Sequence, residues 1–161
     1  YYRFGKKHGK ETTYIGKLKD SENIFKNDIS IQATAWYPTG QLLYTHFYDD
    51  EGNPIGESTY YEPSGKKRTV TNFENGELSN RKEFKDGILI KEERHFGNNE
   101  IYEAHYFVTG EKKSEYNKNL EGVVHQVEWS IDGALISDYK KNSFRITESG
   151  FYTKIIPSTY T

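Results

Sequence analysis

Glycine residues recur along this chain at nearly constant intervals. Intervals of 22 to 25 residues separate the members of one series: Gly16, Gly40, Gly65, Gly87, Gly110 and Gly133. A second series alternates with it at intervals of 21 to 25 residues: Gly5, Asn27, Gly52, Gly76, Gly97 and Gly122. A fixed period in the twenties is typical of repeat proteins. Together the two series place a turn residue about every 11 or 12 positions, which predicts strands joined by tight turns.

The segments between these turns have the length and composition of strands. Asn75-Gly76 and Asp86-Gly87 are the strongest turn signals, because a two-residue hairpin turn needs positive φ and these residues adopt it at little cost. No segment places apolar residues at helical spacing over a useful length. The sequence therefore predicts an all-β fold, an elongated single-layer antiparallel sheet of about twelve strands in tandem hairpins. The turn residues assigned a structural role are Gly40, Gly65, Gly87, Gly110 and Gly133.

The repeat pattern predicts one repeat region and one terminal segment. Tandem hairpins are predicted over residues 1–141. In residues 142–161 the periodicity weakens, and Gly150 and Pro157 interrupt it. Terminal repeats are usually atypical because they cover the end of the stack, so we expect residues 142–161 to form a capping segment.

The composition limits the kind of core that this chain can build. Only 34% of the residues are hydrophobic, whereas 16% are aromatic, including 14 tyrosines. A deep aliphatic core needs more Leu, Ile and Val, and a disordered chain would contain fewer rings. We therefore expect a thin structure that packs amphipathic rings on a sheet face.

The charge pattern argues against several classes of partner. The 22 basic and 24 acidic residues are interspersed and give a net charge of -2. Without a basic stripe, nucleic acid is not expected as a partner, and neither is an anionic lipid surface. No apolar run approaches the roughly 20 residues that span a bilayer. The chain contains no cysteine, which excludes disulfides and thiolate metal sites.

Four segments resemble MORN repeats, most closely the divergent bacterial variant. They comprise residues 4–10, 60–66, 84–87 and 106–111, in which aromatic residues precede a short polar stretch, a glycine and usually a charged residue. The family's second glycine, four residues after the first, is matched at Gly9 and Gly56, but other residues occupy the equivalent positions after Gly76, Gly97 and Gly122. The resemblance covers roughly residues 1–140. It implies a hairpin in each repeat and a binding scaffold, and it carries no catalytic residues.

Aromatic residues just before the turn glycines are the candidate binding residues. Neighbouring strand residues point to opposite faces. If the copy containing Tyr60 has one extra residue before its glycine, one face carries the first of two rows: Trp36, Tyr60, Tyr106 and Trp129. The other face then carries the second row: Tyr37, Tyr61, Phe84 and Phe107. We assign the second row to internal packing because it recurs more regularly. The first row, interrupted by Glu83, is predicted to bind a partner, although packing would explain either row.

Catalytic and metal-binding motifs are not found in the sequence. There is no nucleophile elbow and no phosphate-binding glycine loop, and no two of the five histidines stand at helical zinc spacing. Asp49-Asp50-Glu51 offers oxygen ligands before Gly52 but lacks the alternating acids of a calcium loop, so a solvated turn is the better interpretation. The sequence predicts no enzyme, no cofactor and no metal site.

The predicted function is therefore non-catalytic binding of another macromolecule, with a protein partner favoured. Alternatives are a glycan or cell-envelope binding module and an antitoxin or immunity protein. A sugar site would need rings flanked by hydrogen-bonding side chains in a groove, whereas a protein site would be a flatter ringed patch. The chain begins at Tyr1, lacks Met and Cys, and is rich in Tyr, Asn and Lys. These traits favour an exported bacterial protein (cell surface, periplasmic or secreted), and a cytoplasmic protein could share them.

Overall fold

The computed structural model describes residues 1–97 and 99–141. The chain divides into two compact units, Tyr1–Gly87 and Ile88–Thr161, and each is considered by itself. The predicted capping segment, residues 142–161, lies outside the described residues.

The first unit consists of strands that follow one another in hairpins. Its nine strands are β1 (Tyr2–Arg3), β2 (Lys6–Lys7), β3 (Gly9–Ile15), β4 (Leu18–Lys26), β5 (Ile29–Trp36), β6 (Leu42–Phe47), β7 (Gly56–Tyr61), β8 (Lys67–Glu74) and β9 (Glu77–Lys85). The first two form a small separate hairpin, and β3 to β9 lie in chain order in an antiparallel sheet. Each strand therefore pairs with the strands that precede and follow it in the sequence.

The second unit repeats the same arrangement. Its strands are β10 (Ile88–His95), β11 (Ile101–Tyr106), β12 (Lys112–Lys118), β13 (Val124–Trp129) and β14 (Leu135–Lys141). They also lie in chain order, and each neighbouring pair is antiparallel. In both units the described residues contain no helix and hence none that could cross a membrane. The predicted fold class, an all-β single-layer antiparallel sheet of tandem hairpins, is confirmed.

Two kinds of tight turn connect the strands. At Asp86-Gly87 both residues have positive φ, 53° and 86°, as a two-residue hairpin turn of type I′ requires. At Gly40 the turn is one residue longer: the Tyr37 N–H donates to the Gln41 carbonyl and the Gly40 N–H donates to the Tyr37 carbonyl, both at 2.8 Å. The same pair of bonds recurs before Gly65, Gly110 and Gly133. All five glycines that were assigned to structural turns have positive φ.

A β-bulge recurs beside many of these turns. In the hairpin of β7 and β8, Tyr60 pairs with Thr69 and Tyr61 pairs with Lys67, so Arg68 has no partner residue. The corresponding unpaired residues of six further hairpins are Asp20, Ile31, Leu43, Ser79, Lys113 and Ile136. Bulges increase local twist and change the direction of the extra side chain.

The buried core of these sheets is small and consists of small apolar residues. The buried apolar residues are Ala35, Val70, Ala104 and Val127, and no large side chain is fully buried among the residues that the structure describes. With one layer, apolar burial is limited to contacts between side chains of neighbouring strands, each worth about 0.2–1 kcal/mol. The rings therefore pack beside one another over small residues, and they remain partly open to solvent.

Candidate functional site

Strand pairing assigns the residues of β5 to β8 in the first unit to one of two faces. On one face, Thr34, Thr45, Thr59 and Val70 form a row of directly paired residues across β5 to β8. On the other face, the equivalent row contains Ala35, Tyr44, Tyr60 and Thr69. We call these the Thr34 face and the Tyr60 face.

The predicted row of four binding residues is not one row. Trp36 is two residues from Thr34 and Tyr61 is two residues from Thr59, so both lie on the Thr34 face. Tyr60 lies on the opposite face. The turn before Gly65 has the same length as the turn before Gly40, because Glu62 and Lys66 make the same backbone hydrogen bond as Tyr37 and Gln41. Tyr61, and not Tyr60, therefore corresponds to Trp36. The assignment of Tyr60 to the face of Trp36 was therefore wrong.

The row that was assigned to internal packing also changes. Lys82 pairs with Val70, so Phe84 lies on the Thr34 face together with Trp36 and Tyr61. The short Asp86-Gly87 turn shifts the ring one residue closer to its glycine, and Glu83 therefore does not interrupt this row. Tyr37 and Phe107 are not strand residues, since each opens a turn. The prediction that the four residues of the second row share one face was therefore also wrong.

In the second unit the two predicted binding residues do share a face. Ala104, Glu115 and Val127 are directly paired across β11 to β13. Tyr106 and Trp129, each two residues further along its strand, lie on the same side, which we call the Trp129 face. Both rings are half-buried, as is Trp36.

A charged side chain covers part of Trp36. The Lys19 ammonium lies 3.9 Å from the centroid of the Trp36 ring, a favourable cation–π distance. Lys19 and Lys10 both pair with Glu22, at 2.8 Å and 2.9 Å, and their hydrogen bonds lower the pKa of this half-buried carboxyl. Trp36 is therefore a ring at the centre of a mixed-charge patch, with one side covered by lysine.

The Trp129 face carries a similar network around its rings. The Lys112 ammonium donates to Glu115 at 2.8 Å and to the Tyr102 hydroxyl at 3.3 Å, and the bond to Glu115 is the main cause that raises the pKa of Lys112 to about 12. The same ammonium lies 5.8 Å from the Trp129 ring centroid. Lys112 thus links Tyr102, Glu115 and Trp129 in one network on this face.

A buried carboxylate anchors the other end of this network. Glu92 is only 6% exposed and accepts hydrogen bonds from the Arg94 guanidinium at 2.9 Å and the Tyr106 hydroxyl at 3.3 Å. Burial raises the pKa of the Tyr106 hydroxyl, which therefore stays protonated and can donate. Glu92 thereby fixes the orientation of the Tyr106 ring.

The Tyr60 face of the first unit carries a separate cluster of rings. His46 lies 4.8 Å from Tyr44 and 5.0 Å from Tyr60 between ring centroids, and Tyr48 lies 6.4 Å from His46. Burial lowers the pKa of His46, so the neutral imidazole is favoured. The sequence pointed to His46 only as one of five scattered histidines, and it gave no indication that these four rings meet.

Beside this cluster the Tyr60 face contains a groove with a volume of about 480 Å³. Nine residues line it: His46, Ser58, Tyr60, Arg68, Thr69, Thr71, Phe73, Leu78 and Arg81. They come from four successive strands, β6 to β9, together with the bulge at Arg68. The groove has no signal in the sequence, because its lining residues are far apart along the chain.

The acidic residues and histidines of the described ranges make local pairs rather than a metal-ligating cluster. They contain no group of three His, Cys, Asp or Glu side chains placed to hold a metal ion. The Asp49 carboxylate instead accepts hydrogen bonds from the Glu51 and Asn53 backbone N–H groups, at 3.0 Å and 2.8 Å. Three histidines each contact one carboxylate: His95 with Glu93, His105 with Glu103 and His125 with Asp138.

Two comparisons with known proteins were negative. No family model matches the sequence, and no curated protein matches it. The functional argument therefore depends on the geometry of the two units alone.

Proposed function

We propose that this chain is a divergent MORN-type repeat scaffold that binds a protein partner without catalysing a reaction. The observation that carries the proposal is the pair Tyr106 and Trp129 on the Trp129 face. They occupy the same position in two hairpins, four residues before a turn glycine, and remain half-exposed. Aromatic residues at such positions supply a large contact area at low entropy cost.

The charges around these rings support a protein as the partner of this face. Arg94 and Lys112 lie within 5.9 Å of the Tyr102 ring, and Glu92 and Glu115 balance their charges. A flat patch of rings with paired charges of both signs matches the polar rim and aromatic centre of a protein interface. An antitoxin or immunity role would be one case of the same binding, with a toxin as the partner.

Trp36 is the equivalent binding residue in the first unit. It lies four residues before Gly40, as Trp129 lies four residues before Gly133. A lysine ammonium lies over each ring, Lys19 at 3.9 Å from the Trp36 centroid and Lys112 at 5.8 Å from the Trp129 centroid. Tyr60 is excluded from this proposal because it lies on the opposite face. An exported bacterial location remains part of the proposal on composition alone.

The test is a comparative pull-down with the whole chain, in which captured proteins are quantified by mass spectrometry. We expect Trp129→Ala and Trp36→Ala to reduce capture of a specific partner about tenfold or more, since a central interface ring can contribute roughly 2 kcal/mol. The matched control is Tyr139→Ala, because Tyr139 is 42% exposed and pairs with Gln126 on the side opposite Trp129.

Melting temperatures of the three variants separate binding from stability. Both tryptophans are half-buried, so we expect losses of a few degrees and a cooperative transition that is retained. Equal capture by the wild type and all three variants would contradict the proposal. So would capture that is lost only in proportion to the unfolded fraction, because the tryptophans would then be packing residues.

A further inference from the structure

We propose that the groove on the Tyr60 face of the first unit binds a saccharide that carries a carboxylate. The site lies on the opposite face from Trp36 and does not depend on the protein-binding proposal.

The groove forms because small side chains on β7 and β8 are surrounded by larger side chains on the same face. Ser58, Thr71 and Arg81 are directly paired across β7, β8 and β9, and Tyr60 and Thr69 form the next paired row. The three small hydroxyl residues Ser58, Thr69 and Thr71 therefore form a floor, and larger side chains stand around it: His46, Tyr60, Phe73, Leu78 and Arg81. A volume of about 480 Å³ lies within the usual range of small-ligand sites, roughly 300–1,000 Å³.

The rings and hydroxyls of the groove suit a sugar. Tyr60 is 41% exposed and stands edge-on to His46, which leaves an apolar ring surface for the C–H groups of a pyranose. Ser58 is only 3% exposed, and its hydroxyl has no hydrogen-bond partner. A buried hydroxyl without a partner is unfavourable, and a ligand hydroxyl seated on the floor would provide one.

Two guanidinium groups add a preference for negative charge. No carboxylate is among the lining residues, although Arg81 pairs with Glu83 at 3.1 Å beside the groove. Arg68 makes no ion pair with any residue in the described ranges, and this unpaired bulge residue is one of those that line the groove. A guanidinium binds a carboxylate through two parallel hydrogen bonds, so Arg68 is the expected anchor for the acidic group.

A peptide fits this site less well. Peptides that bind sheets usually add a strand to a free edge and are recognised through backbone hydrogen bonds. Here β8 forms the centre of the groove and pairs with strands on both sides, so its backbone groups are already used. Only side chains are available for recognition, and they are rings, hydroxyls and guanidiniums.

The test is titration of the whole chain with trigalacturonate and with sialyllactose, followed by NMR and calorimetry. We expect at least one of them to bind, with shifts in the signals of His46 and Tyr60. The methyl ester of the bound sugar should bind at least about tenfold more weakly, and rising salt should weaken binding of the acid, because the anchor is a partly exposed charge.

Two variants and one control locate the site. Arg68→Gln should weaken binding about tenfold, and Tyr60→Ala should weaken it without abolishing the difference between acid and ester. Lys17→Gln removes the same charge from an exposed turn far along the chain and should leave the affinity unchanged. Both Arg68 and Tyr60 are exposed enough that the variants should keep the wild-type circular dichroism spectrum.

Three results would overturn the inference. The first is no binding of either acidic saccharide at millimolar concentration. The second is equal affinity for acid and ester, which would remove the role of Arg68. The third is tighter binding of an acidic peptide or a single-stranded oligonucleotide at the same residues, which would assign the groove to another class of ligand.

Discussion

Gly110 provides a direct test of how the turns determine the repeat. Its φ is +101°, and a Cβ added there would have no heavy atom within 4 Å. Any loss of stability caused by a side chain at this position therefore comes from backbone strain and not from a steric clash with neighbouring residues. A residue other than glycine in a left-handed conformation costs roughly 1–2 kcal/mol, and the stiffer unfolded chain returns about 0.4–1 kcal/mol of that. We expect Gly110→Ala to lower the free energy of unfolding by about 1 kcal/mol.

Chemical denaturation and thermal melting measure this difference. For a cooperative unit of this size, about 1 kcal/mol corresponds to a fall of roughly 4–8 °C in melting temperature. Gly110→Val should cost more than Gly110→Ala, because a β-branched residue adopts positive φ less readily. The control is Val108→Ala in the same turn, since Val108 is 61% exposed and does not have positive φ.

A D-alanine at position 110, introduced by semisynthesis, separates backbone strain from loss of the glycine itself. D-residues favour positive φ, so this substitution should raise the melting temperature slightly while Gly110→Ala lowers it. If the L-alanine and valine variants both have the melting temperature of the wild type, the positive φ at position 110 does not contribute to stability as proposed. The same expectation applies to Gly87, where an added Cβ would make only an ordinary contact with Lys66, at 3.5 Å.

Two further predictions concern the Asp49 turn and the core of the second unit. The Asn53 side chain holds the pKa of Asp49 below its usual value, so the contribution of Asp49 to stability is full above its unfolded-state pKa and is lost as the pH falls through the folded value. Asn53→Ala should raise the Asp49 pKa in an NMR titration, and an unchanged titration would refute this cause. Ala104 is fully buried between paired glutamates, so Ala104→Leu should destabilise the second unit by about 1–3 kcal/mol, whereas Ala134→Leu in an exposed turn should not.

The hairpin pattern could be predicted from the sequence because turn geometry is local. Asp86-Gly87 requires positive φ at two adjacent residues, and few residue pairs accept that. The chain therefore carries its turn positions in a form that can be read without knowledge of pairing. The same reasoning located the turns at Gly40, Gly65, Gly110 and Gly133.

The faces could not be predicted because they depend on pairing at single-residue accuracy. An error of one residue in the alignment places a side chain on the wrong side of a sheet, and the predicted face of Tyr60 was wrong for this reason. Tyr60 and Tyr61 look equivalent in sequence, and only the turn bond between Glu62 and Lys66 decides which of them corresponds to Trp36.

The groove escaped prediction for a related reason. Its floor exists because Ser58 and Thr71 lie side by side on adjacent strands, and each of them is unremarkable in its own segment. A concave site on a single sheet is a property of neighbours across strands, whereas sequence patterns report neighbours along one strand.

The recurring β-bulge separates the residues that maintain strand register from a residue that is free of this constraint. The paired residues of each hairpin maintain the register, so their replacement is restricted by their neighbours on the adjacent strands. The extra residue of each bulge has no partner residue, and its chemistry differs among the seven bulged hairpins: Asp20, Ile31, Leu43, Arg68, Ser79, Lys113 and Ile136. Each of these seven hairpins therefore has one position at which a single substitution changes the surface chemistry without changing the paired residues of the sheet.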